Sequence, residues 1–410
     1  MGRTGKAVLA ITTACALASG ALAGSASAAP APQVAVAATG LNSPKHLTWT
    51  QQGLFIAESG TGGPVGTSNC VTGPATEGSG TTQYCEGPTG SVALLSGHRL
   101  RTVLGGLPSV IEEDTGEALG VAAVAPLQSG GFWGPWGSWG RWFGRARGLA
   151  AVFQDELVSS NGTNGLPGAA AKIFGTLQLP PWRAVNIAGF AAANPQNPAT
   201  LGGIPGAETT YDSDPYDVID DHGGYAVVDA AANSLLFVSR HGQVSLLARF
   251  PTTPEVAPAG VLGPNPVPLD AQAVPTAVAV GPDGALYVSQ LVGIPSDPGT
   301  AVIYRVVPGH SPTVWATGLT AVTAIAFDRA GRLFATEYNT EGLLGSPTAP
   351  GALVEISRNG SQVTTVPVPG LSAPTGVAVG PDGAVYVANH GTSAGTSSTP
   401  GEVLRITGLQ

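Results

Sequence analysis

The hydrophobic positions of this chain fall into short runs that come in pairs, with a polar turn between the two runs of each pair. The clearest pair is Thr375–Asn389 (TGVAVGPDGAVYVAN), which returns at Thr276–Gln290 and Thr323–Glu337. Apolar and aromatic residues on both sides of a Gly-Pro-Asp-Gly turn are typical of a β-hairpin. Looser copies lie at Lys45–Glu58 and Tyr216–Asp229. The repeated unit is therefore a pair of strands.

The clearest pairs recur at intervals of about 50 residues, and this spacing indicates the architecture. A strand-built unit of this length is typical of a β-propeller, in which each unit is one four-stranded blade. We name the strands of a blade a to d from the central channel outwards, so the repeated pair is a and b. Short apolar runs after each pair supply strands c and d, for example Ala301–Val307 and Thr313–Leu319. We therefore predict an all-β, six-bladed β-propeller.

One blade has no clear copy of the repeated pair and has to lie between Glu112 and Phe190. Its predicted strands a and b are Leu119–Ala125 and Leu149–Glu156, and its predicted strand c is Ala170–Leu177.

The last blade lacks a strand d, because the sequence stops soon after its strand c, Glu402–Thr407. The segment Gln33–Leu41 (QVAVAATGL) is similar to strand d at Thr313–Leu319 (TVWATGL). An uncovered strand edge is prone to pair with other chains, and natural sheets protect such edges. We therefore predict that Gln33–Leu41 pairs with the C-terminal blade and closes the ring.

Residues 1–28 have the features of a cleaved signal peptide. Arg3 and Lys6 precede an apolar run, and Ala26-Ser27-Ala28 satisfies the small-x-small cleavage rule. A membrane anchor is the alternative, but the apolar run is short and ends in Gly and Ser. We predict a secreted, extracellular protein without a membrane span, in which residues 29–410 form a single propeller domain.

Charge narrows the class of partner. The formal net charge is −9, and removal of Arg3 and Lys6 with the signal peptide makes it about −11. No basic stripe is present, which disfavours nucleic acid as a partner. We therefore expect a monomer that binds an extracellular small molecule, polymer or protein. Lysine is scarce while arginine is common, a bias that is usual for a GC-rich bacterial genome.

The secreted part of the chain keeps two cysteines, Cys70 and Cys85. In an oxidising compartment an isolated pair indicates a disulfide. Metal ligation is the alternative, but no further Cys or His lies nearby in the sequence. We predict a Cys70–Cys85 disulfide and no metal site.

Long connections and polar strand ends share one face of the predicted propeller. Strand a starts at this face and strand b returns to it, so the b–c loops and the d–a turns lie there together. The last residue of strand b is polar in each copy: Glu58, Asp229, Gln290, Glu337 and Asn389. A ring of carboxylates and amides near a channel mouth suits a cation or another polar ligand. The alternative is that each side chain caps its own loop by binding backbone amides.

The segment Phe132–Gly148 (FWGPWGSWGRWFGRARG) holds four of the seven tryptophans. They recur every three residues with Gly and Pro between them, which opposes both a regular helix and a regular strand. We predict an irregular loop between strands a and b. Its indoles and arginines suit a protein surface, a glycan or an anionic polymer; the alternative is that the rings pack against the blade.

A family resemblance rests on Ser213–Gly242. Within it, Asp214–Asp217 (DPYD) and Val228–Leu236 (VDAAANSLL) are similar to the N-P-Y-G and V-A-D-A-G-x-N-x-L-L patterns of the ScyD/ScyE family of secreted propeller proteins. The resemblance to this family covers most of residues 35–410. The chain also resembles NHL-repeat and strictosidine-synthase-like propellers, but more loosely. Asp217 stands where this family usually has Gly. The resemblance implies a propeller and export, and it carries no catalytic motif.

Lactonase-like six-bladed propellers place Glu, Asn and Asp at the start of strand a, around a catalytic calcium. This chain has Thr276, Thr323 and Thr375 there, with Lys45 and Tyr216 in two other blades. Hydroxyls and an amine do not replace the carboxylates that calcium requires. We therefore expect no cofactor, with calcium as the weaker alternative.

These observations favour a secreted binding or scaffold protein that holds an extracellular ligand on its loop-rich face. Besides the five polar ends of strand b, the candidate ligand contacts lie at the start of strand a: Lys45, His46 and Tyr216. The alternative is a hydrolase or lyase of the lactonase or strictosidine-synthase-like type. It would use Glu58, Asp229 and Glu337, because two carboxylates with different pKa values suit acid–base catalysis.

Overall fold

Six antiparallel sheets of four or more strands stand around a central channel. The computed structural model describes residues 31–74, 81–126, 149–154, 169–180, 183–195, 213–392 and 399–409. The first strand, β1 (Gln33–Leu41), belongs to the last sheet, and the other strands follow chain order from the channel outwards. Residues 1–28 and the tryptophan-rich Phe132–Gly148 lie outside the described residues.

The first three blades follow one another along the chain. Strands a to d of blade 1 are β2 (Pro44–Thr50), β3 (Gly53–Glu58), β5 (Thr81–Ser96) and β6 (Arg99–Glu112). Two short strands extend this sheet: β4 (Cys70–Pro74) and β7 (Ala118–Leu119). Blade 2 consists of β8 (Val121–Pro126), β9 (Leu149–Phe153), β10 (Thr176–Leu179) and β11 (Arg183–Asn186). Blade 3 consists of β12 (Pro215–Asp221), β13 (Gly224–Asp229), β14 (Ser234–Ser239) and β15 (Val244–Arg249).

A hairpin precedes the remaining three blades, formed by β16 (Thr253–Ala257) and β17 (Val267–Ala271). Blade 4 consists of β18 (Pro275–Val280), β19 (Leu286–Gln290), β20 (Ala301–Val306) and β21 (Thr313–Leu319). Blade 5 consists of β22 (Val322–Phe327), β23 (Leu333–Glu337), β24 (Ala352–Ile356) and β25 (Val363–Val366). Blade 6 consists of β26 (Gly376–Val379), β27 (Val385–Asn389), β28 (Gly401–Thr407) and β1. The predicted six-bladed β-propeller is confirmed.

Apolar side chains fill the junctions between neighbouring blades. Six large buried clusters among the described residues each draw on two adjacent blades. Phe55 and Phe153, for example, share the cluster between blades 1 and 2. Ile56 and Ala388 share the cluster between blades 1 and 6, and β2 contacts β26 beside the channel. The clusters therefore follow the ring through all six junctions.

The N-terminal strand occupies the outer position of blade 6. β1 pairs with β28 in antiparallel fashion, from Gln33 opposite Thr407 to Leu41 opposite Gly401. Leu41 is buried in the apolar cluster between blades 6 and 1, so the strand contributes packing as well as backbone hydrogen bonds.

Threonine hydroxyls connect successive blades next to the channel. In blades 4 and 5 the register of strand a shifts by one residue at Thr276 and Thr323, as in a β-bulge. The Thr276 hydroxyl donates to the carbonyl oxygen of Val322 at 2.7 Å, and Thr323 donates to Pro374 at 2.7 Å. Each bond crosses to the start of strand a in the next blade.

The same contact joins the last blade to the first. The Thr375 hydroxyl donates to the carbonyl oxygen of Pro44 at 2.6 Å, across 331 positions of sequence. We call the bonds made by Thr276, Thr323 and Thr375 the threonine belt. They explain why Thr recurs at this position. From the sequence alone, these threonines were notable only as poor ligands for calcium.

The prediction for strand c of blade 2 is wrong in its first half. Ala170–Ile173 is a short helix, α1, and the strand starts only at Thr176. Alanine and lysine favour a helix. The Glu86 carboxylate accepts hydrogen bonds from the amides of Ala169 and Ala170, which satisfies donors that a helix start leaves free.

Two further features lie outside the repeated blade. A second short helix, α2 (Ile187–Ala193), follows blade 2, with the side chain of Asn186 as its N-cap. The β16–β17 hairpin was not predicted. Its Glu255 accepts the amides of Ser296 and Asp297 and so fixes the b–c loop of blade 4.

The predicted Cys70–Cys85 disulfide is confirmed. The two cysteines lie opposite each other in the β4–β5 pair, which extends the loop-rich side of blade 1.

Replacement of Thr375 with Val keeps the side-chain shape but removes the hydroxyl that joins blade 6 to blade 1. The buried carbonyl of Pro44 then loses this donor, so we expect the free energy of unfolding to fall by about 1–3 kcal/mol. Urea denaturation measures the change. Thr364→Val is the matched control, because Thr364 is exposed on β25; equal midpoints for the two variants contradict a role for the threonine belt.

Deletion of Gln33–Leu41 exposes the edge of β28. We expect a large loss of thermal stability and aggregation, because an uncovered edge can pair with other chains. Thermal denaturation and size-exclusion chromatography test this, with deletion of residues 408–410 as a terminal control. A truncated protein that melts like the parent rules out ring closure by this strand.

Candidate functional site

Buried polar side chains stand at the end of strand b on the loop-rich face. They are the five predicted residues, Glu58, Asp229, Gln290, Glu337 and Asn389. In blade 2 the apolar Phe153 holds this position, and the buried Gln154 follows it. Glu58 accepts the amide of Asn42 at 2.9 Å, and Glu337 accepts the amide of Thr320 at 2.9 Å. Each donor lies in the turn that leads into the same blade.

Blades 3 and 6 repeat this contact. Asp229 accepts the amide of Asp214 at 2.8 Å, and Asn389 accepts the amide of Ser372 at 2.8 Å. These four side chains therefore cap their own loops, as the capping interpretation predicted. Their use by a ligand stays a prediction.

Gln290 differs from the other strand ends. Its amide nitrogen donates to the Thr253 hydroxyl at 3.1 Å, which connects blade 4 with the β16–β17 hairpin. Its buried Oε1 has no hydrogen-bond partner among the described residues.

Burial raises the pKa of both Glu58 and Glu337, although the amides that they accept act in the opposite direction. The three carboxylates proposed as an acid–base set, Glu58, Asp229 and Glu337, are thus each engaged in holding a loop of their own blade.

The strongest departure from sixfold repetition lies just inside the channel mouth. The second position of strand a, opposite the residue before the strand-b end, is Ala or Gly in four blades: Ala123, Ala277, Ala324 and Gly376. Blades 1 and 3 place His46 and Asp217 there. The small residues leave room in the channel, and the two large polar ones occupy it.

His46 and Asp217 meet across that space. His46 Nδ1 lies 3.5 Å from Asp217 Oδ1, although one blade separates their strands. The imidazole also contacts the ring of Tyr216 edge-on, with 5.4 Å between centroids. Both His46 and Asp217 are only 6% exposed. The structure therefore brings together two of the predicted site residues, His46 and Tyr216.

Backbone amides fix the Asp217 carboxylate. Oδ1 accepts the amide of Val218 at 2.7 Å, and Oδ2 accepts the amide of Val278 at 2.8 Å. Val278 belongs to strand a of blade 4. Asp217 therefore connects blades 3 and 4 at a place where no belt threonine is available.

Lys45 extends the cluster towards blade 1. Its side chain is buried, and Nζ donates to Glu117 Oε1 at 2.7 Å. Glu117 is one-third exposed, and Tyr216 is half-buried. We call Lys45, His46, Glu117, Tyr216 and Asp217 the channel cluster. Its exposed part is formed by Glu117 and Tyr216.

Burial lowers the pKa of His46, which favours the neutral imidazole. The Asp217 carboxylate opposes this shift, the Lys45 charge adds to it, and the Thr276 backbone opposes it. The Nε2 atom of His46 is buried without a hydrogen-bond partner among the described residues.

Sequence reasoning missed Asp217 and Glu117 as site residues. Asp217 had a signal, because an alignment of the repeats shows a carboxylate where other blades have Ala or Gly. Glu117 had none, since it lies in a turn that the other blades do not share.

Within the described ranges, no group of three or more His, Cys, Asp or Glu side chains is arranged to hold a metal ion. In the same ranges, no helix has the length and apolar character of a membrane span.

No protein-family model matches the chain, and no curated protein matches it either. A streptogramin B lyase structure aligns with 92% of this chain and 97% of its own, at 10% identity and a TM-score of 0.44. An oxidoreductase from Thermus thermophilus, described as a glucose dehydrogenase, aligns with 92% of this chain and 100% of its own, at 18% identity and a TM-score of 0.47.

A third structure, described as a gluconolactonase, covers 92% of this chain and 92% of its own, at 10% identity and a TM-score of 0.40. These neighbours are six-bladed propeller proteins named as enzymes. All three TM-scores are below 0.5, and the strand pairing of this chain by itself defines the six blades.

Replacement of Glu337 with Gln removes the negative charge of the side chain but keeps an oxygen that can cap the loop. Burial raises the pKa of Glu337, so the stability from its protonated form is fully present below the ordinary value of 4.5 and is lost as pH rises through the folded-state pKa. Glutamine stays neutral and still accepts the Thr320 amide. We therefore expect the variant to be more stable than the parent at pH 7.5, with a gain that shrinks towards pH 4.5.

Urea denaturation across this pH range measures the difference, with the exposed Glu113→Gln as control. A Glu337→Gln variant that is less stable than the parent at pH 7.5 shows that the carboxylate charge itself is needed.

Proposed function

We propose that the protein is a secreted ligand-binding propeller whose ligand contacts the channel cluster from the loop-rich face. The observation that supports this most is the break in repetition. Blades 4 to 6 use the start of strand a for the threonine belt, whereas blades 1 and 3 use it for Lys45, His46, Tyr216 and Asp217. A buried ionisable group whose pKa is shifted by burial and by nearby charges, as that of His46 is, indicates a candidate functional site.

The chemistry of the channel cluster suits a polar ligand. It offers donors and acceptors of both charges beside a half-buried aromatic ring, on a rigid ring of strands. The partly exposed side chains of Glu117 and Tyr216 contact the ligand first. Lys45 fixes Glu117 by an ion pair, and Asp217 fixes the neighbouring strands by its bonds to backbone amides. In this proposal the strand-b ends Glu58, Asp229, Gln290, Glu337 and Asn389 shape the mouth by fixing its loops.

Secretion belongs to the same proposal. The signal peptide predicted at residues 1–28 and the resemblance to the ScyD/ScyE family support export of residues 29–410. We further propose that these residues form one propeller domain that acts as a monomer. The Cys70–Cys85 disulfide is compatible with an oxidising compartment.

A second candidate function is a hydrolase or lyase. The observation that favours it is His46, since a neutral imidazole next to a carboxylate is the usual arrangement of a general base. The reaction would then centre on His46 and Asp217 instead of Glu58, Asp229 and Glu337.

Binding is tested on purified residues 29–410 with a panel of sugars, amino acids, hydroxy acids and nucleosides. Thermal-shift hits are followed by calorimetry on Tyr216→Phe and Glu117→Gln. We expect at least one ligand whose affinity falls about tenfold in each variant, the effect of roughly one lost hydrogen bond. Tyr386→Phe is the matched control, because it removes a hydroxyl near the turn on the opposite face.

The enzyme candidate is tested with lactone, ester and glycoside substrates, with and without calcium. Turnover that disappears in His46→Gln supports catalysis at the channel cluster. Hits that bind Tyr216→Phe, Glu117→Gln and Tyr386→Phe equally well contradict a ligand site at the channel mouth.

A further inference from the structure

A groove lies on the outer rim of the propeller, between blades 2 and 3. Its lining comes from β11, which is the outermost strand of blade 2, from α2, and from the turn and first residue of β15 in blade 3. The groove has a volume of about 400 Å³, which is within the range of small-molecule sites. We propose that this rim groove binds a small carboxylate with an aromatic body. The proposal does not depend on the channel cluster.

Apolar side chains form one part of the rim groove. Val185 is buried in the apolar cluster between blades 2 and 3, and Phe190 and Val244 are half-buried against the same cluster. The cluster therefore holds the Phe190 ring in place while part of the ring faces the groove. Aromatic rings pack on one another with a gain beyond the area that they bury. This part of the groove suits a flat hydrocarbon body.

Arg183 supplies a positive charge beside the apolar part. Its side chain is exposed, and Nη2 donates to the carbonyl oxygen of Arg240 at 3.2 Å, which ties the guanidinium to the c–d turn of blade 3. This bond uses one of the five N–H donors of a guanidinium. A carboxylate can accept two of the remaining donors in parallel, and such charge-assisted bonds are stronger than neutral ones.

The charge of Arg183 is not neutralised by the protein. Four other arginines, namely Arg240, Arg305, Arg332 and Arg405, each form an ion pair with an aspartate of their own blade. Arg183 has no carboxylate partner among the described residues, and no acidic residue is among those described ones that line the groove. A protein with a formal net charge of −9 thus presents an unneutralised cation next to an apolar surface.

The polar groups of the rim groove favour a carboxylate over phosphate. Arg183 is the one cation among the described residues that line it. Asn186 is the other polar side chain, and because its Oδ1 accepts the Gly189 amide as the N-cap of α2, its side-chain nitrogen is the atom that it can offer to a ligand. One guanidinium balances one carboxylate. A phosphate brings more negative charge and no apolar surface to place against Phe190.

A glycine keeps the space beside the guanidinium open. Gly242 has a φ of +78°, and a Cβ at this position would lie 2.8 Å from Arg183 Nη2 and 3.1 Å from Val185 Cγ2. A larger residue at position 242 would therefore displace Arg183 and narrow the groove.

Fluorine NMR of 4-fluorobenzoate with purified residues 29–410 tests the rim groove. We expect binding that weakens about tenfold or more in Arg183→Gln, because the charge-assisted hydrogen bonds are lost. Arg101→Gln is the matched control, since Arg101 is exposed on the outer strand of blade 1, and its affinity should equal that of the parent. Competition by 4-fluorobenzyl alcohol, which lacks the charge, and by inorganic phosphate, which lacks the ring, should need about tenfold higher concentrations or more.

A second measurement locates the ligand without a variant. Phenylglyoxal modifies accessible guanidinium groups, and mass spectrometry of peptides gives the rate at each arginine. We expect 4-fluorobenzoate to slow the modification of Arg183 and to leave that of Arg101 unchanged.

The proposal is overturned if 4-fluorobenzoate does not bind, if phosphate or the alcohol binds as tightly, or if the rate at Arg183 is unaffected. It is also overturned if Arg183→Gln binds 4-fluorobenzoate like the parent while Tyr216→Phe loses affinity. That result assigns the compound to the channel cluster, so a failure of the rim groove and a failure of the channel site are distinguishable.

Discussion

Within the described part of the chain, neighbouring blades share no backbone ladder near the channel, so the ring depends on side-chain contacts at its six junctions. Apolar packing supplies most of the contact, but it does not fix which residues face each other. The threonine belt does so at three consecutive junctions, because each hydroxyl binds one particular carbonyl in the next blade. The bond from Thr375 to Pro44 joins regions from opposite ends of the sequence. Register around the ring is therefore set by hydrogen bonds close to the channel mouth.

The other three blades show what happens when that constraint is released. Blade 2 has Ala122 in the belt position, and blades 1 and 3 have Lys45 and Tyr216. Other contacts take over, among them the carboxylate of Asp217 on the Val278 amide. The ionisable groups of the channel cluster thus stand where the structural repeat is interrupted. The first position of strand a is thus always Thr in blades 4 to 6 and differs from blade to blade in blades 1 to 3. The ionisable side chains of the channel cluster all come from this second half of the ring.

Most of the fold could be predicted, because its information is local. Alternating strands and Gly-Pro-Asp-Gly turns recur, and each hairpin forms from residues close in sequence. The helix Ala170–Ile173 escaped prediction because the carboxylate that caps it, Glu86, lies 84 positions away from Ala170. The β16–β17 hairpin escaped because proline and acidic residues in both strands, TPEVA and VPLDA, oppose strand formation.

The site was predicted less completely, for a related reason. Polar residues at the strand-b ends are visible in the repeats, but only the structure shows that their partners are backbone amides in the preceding turn. The meeting of His46 and Asp217 depends on the closed ring, which brings together positions 171 residues apart. In the sequence, His46 and Asp217 are visible only as two residues that depart from the repeat. Their contact is visible only in the folded ring.

The pairing of β1 with β28 also determines how the protein responds to mechanical force. Gln33 lies opposite Thr407, so the chain enters and leaves the blade at the same end of this ladder. A load applied through both termini pulls the two strands apart from that end and breaks their hydrogen bonds one after another. Shear, in which all bonds resist together, requires the opposite geometry. If both ends of the chain were attached to a polymer or a cell surface, tension between them would therefore open the propeller at low force. Opening would begin at the outermost strand of blade 6.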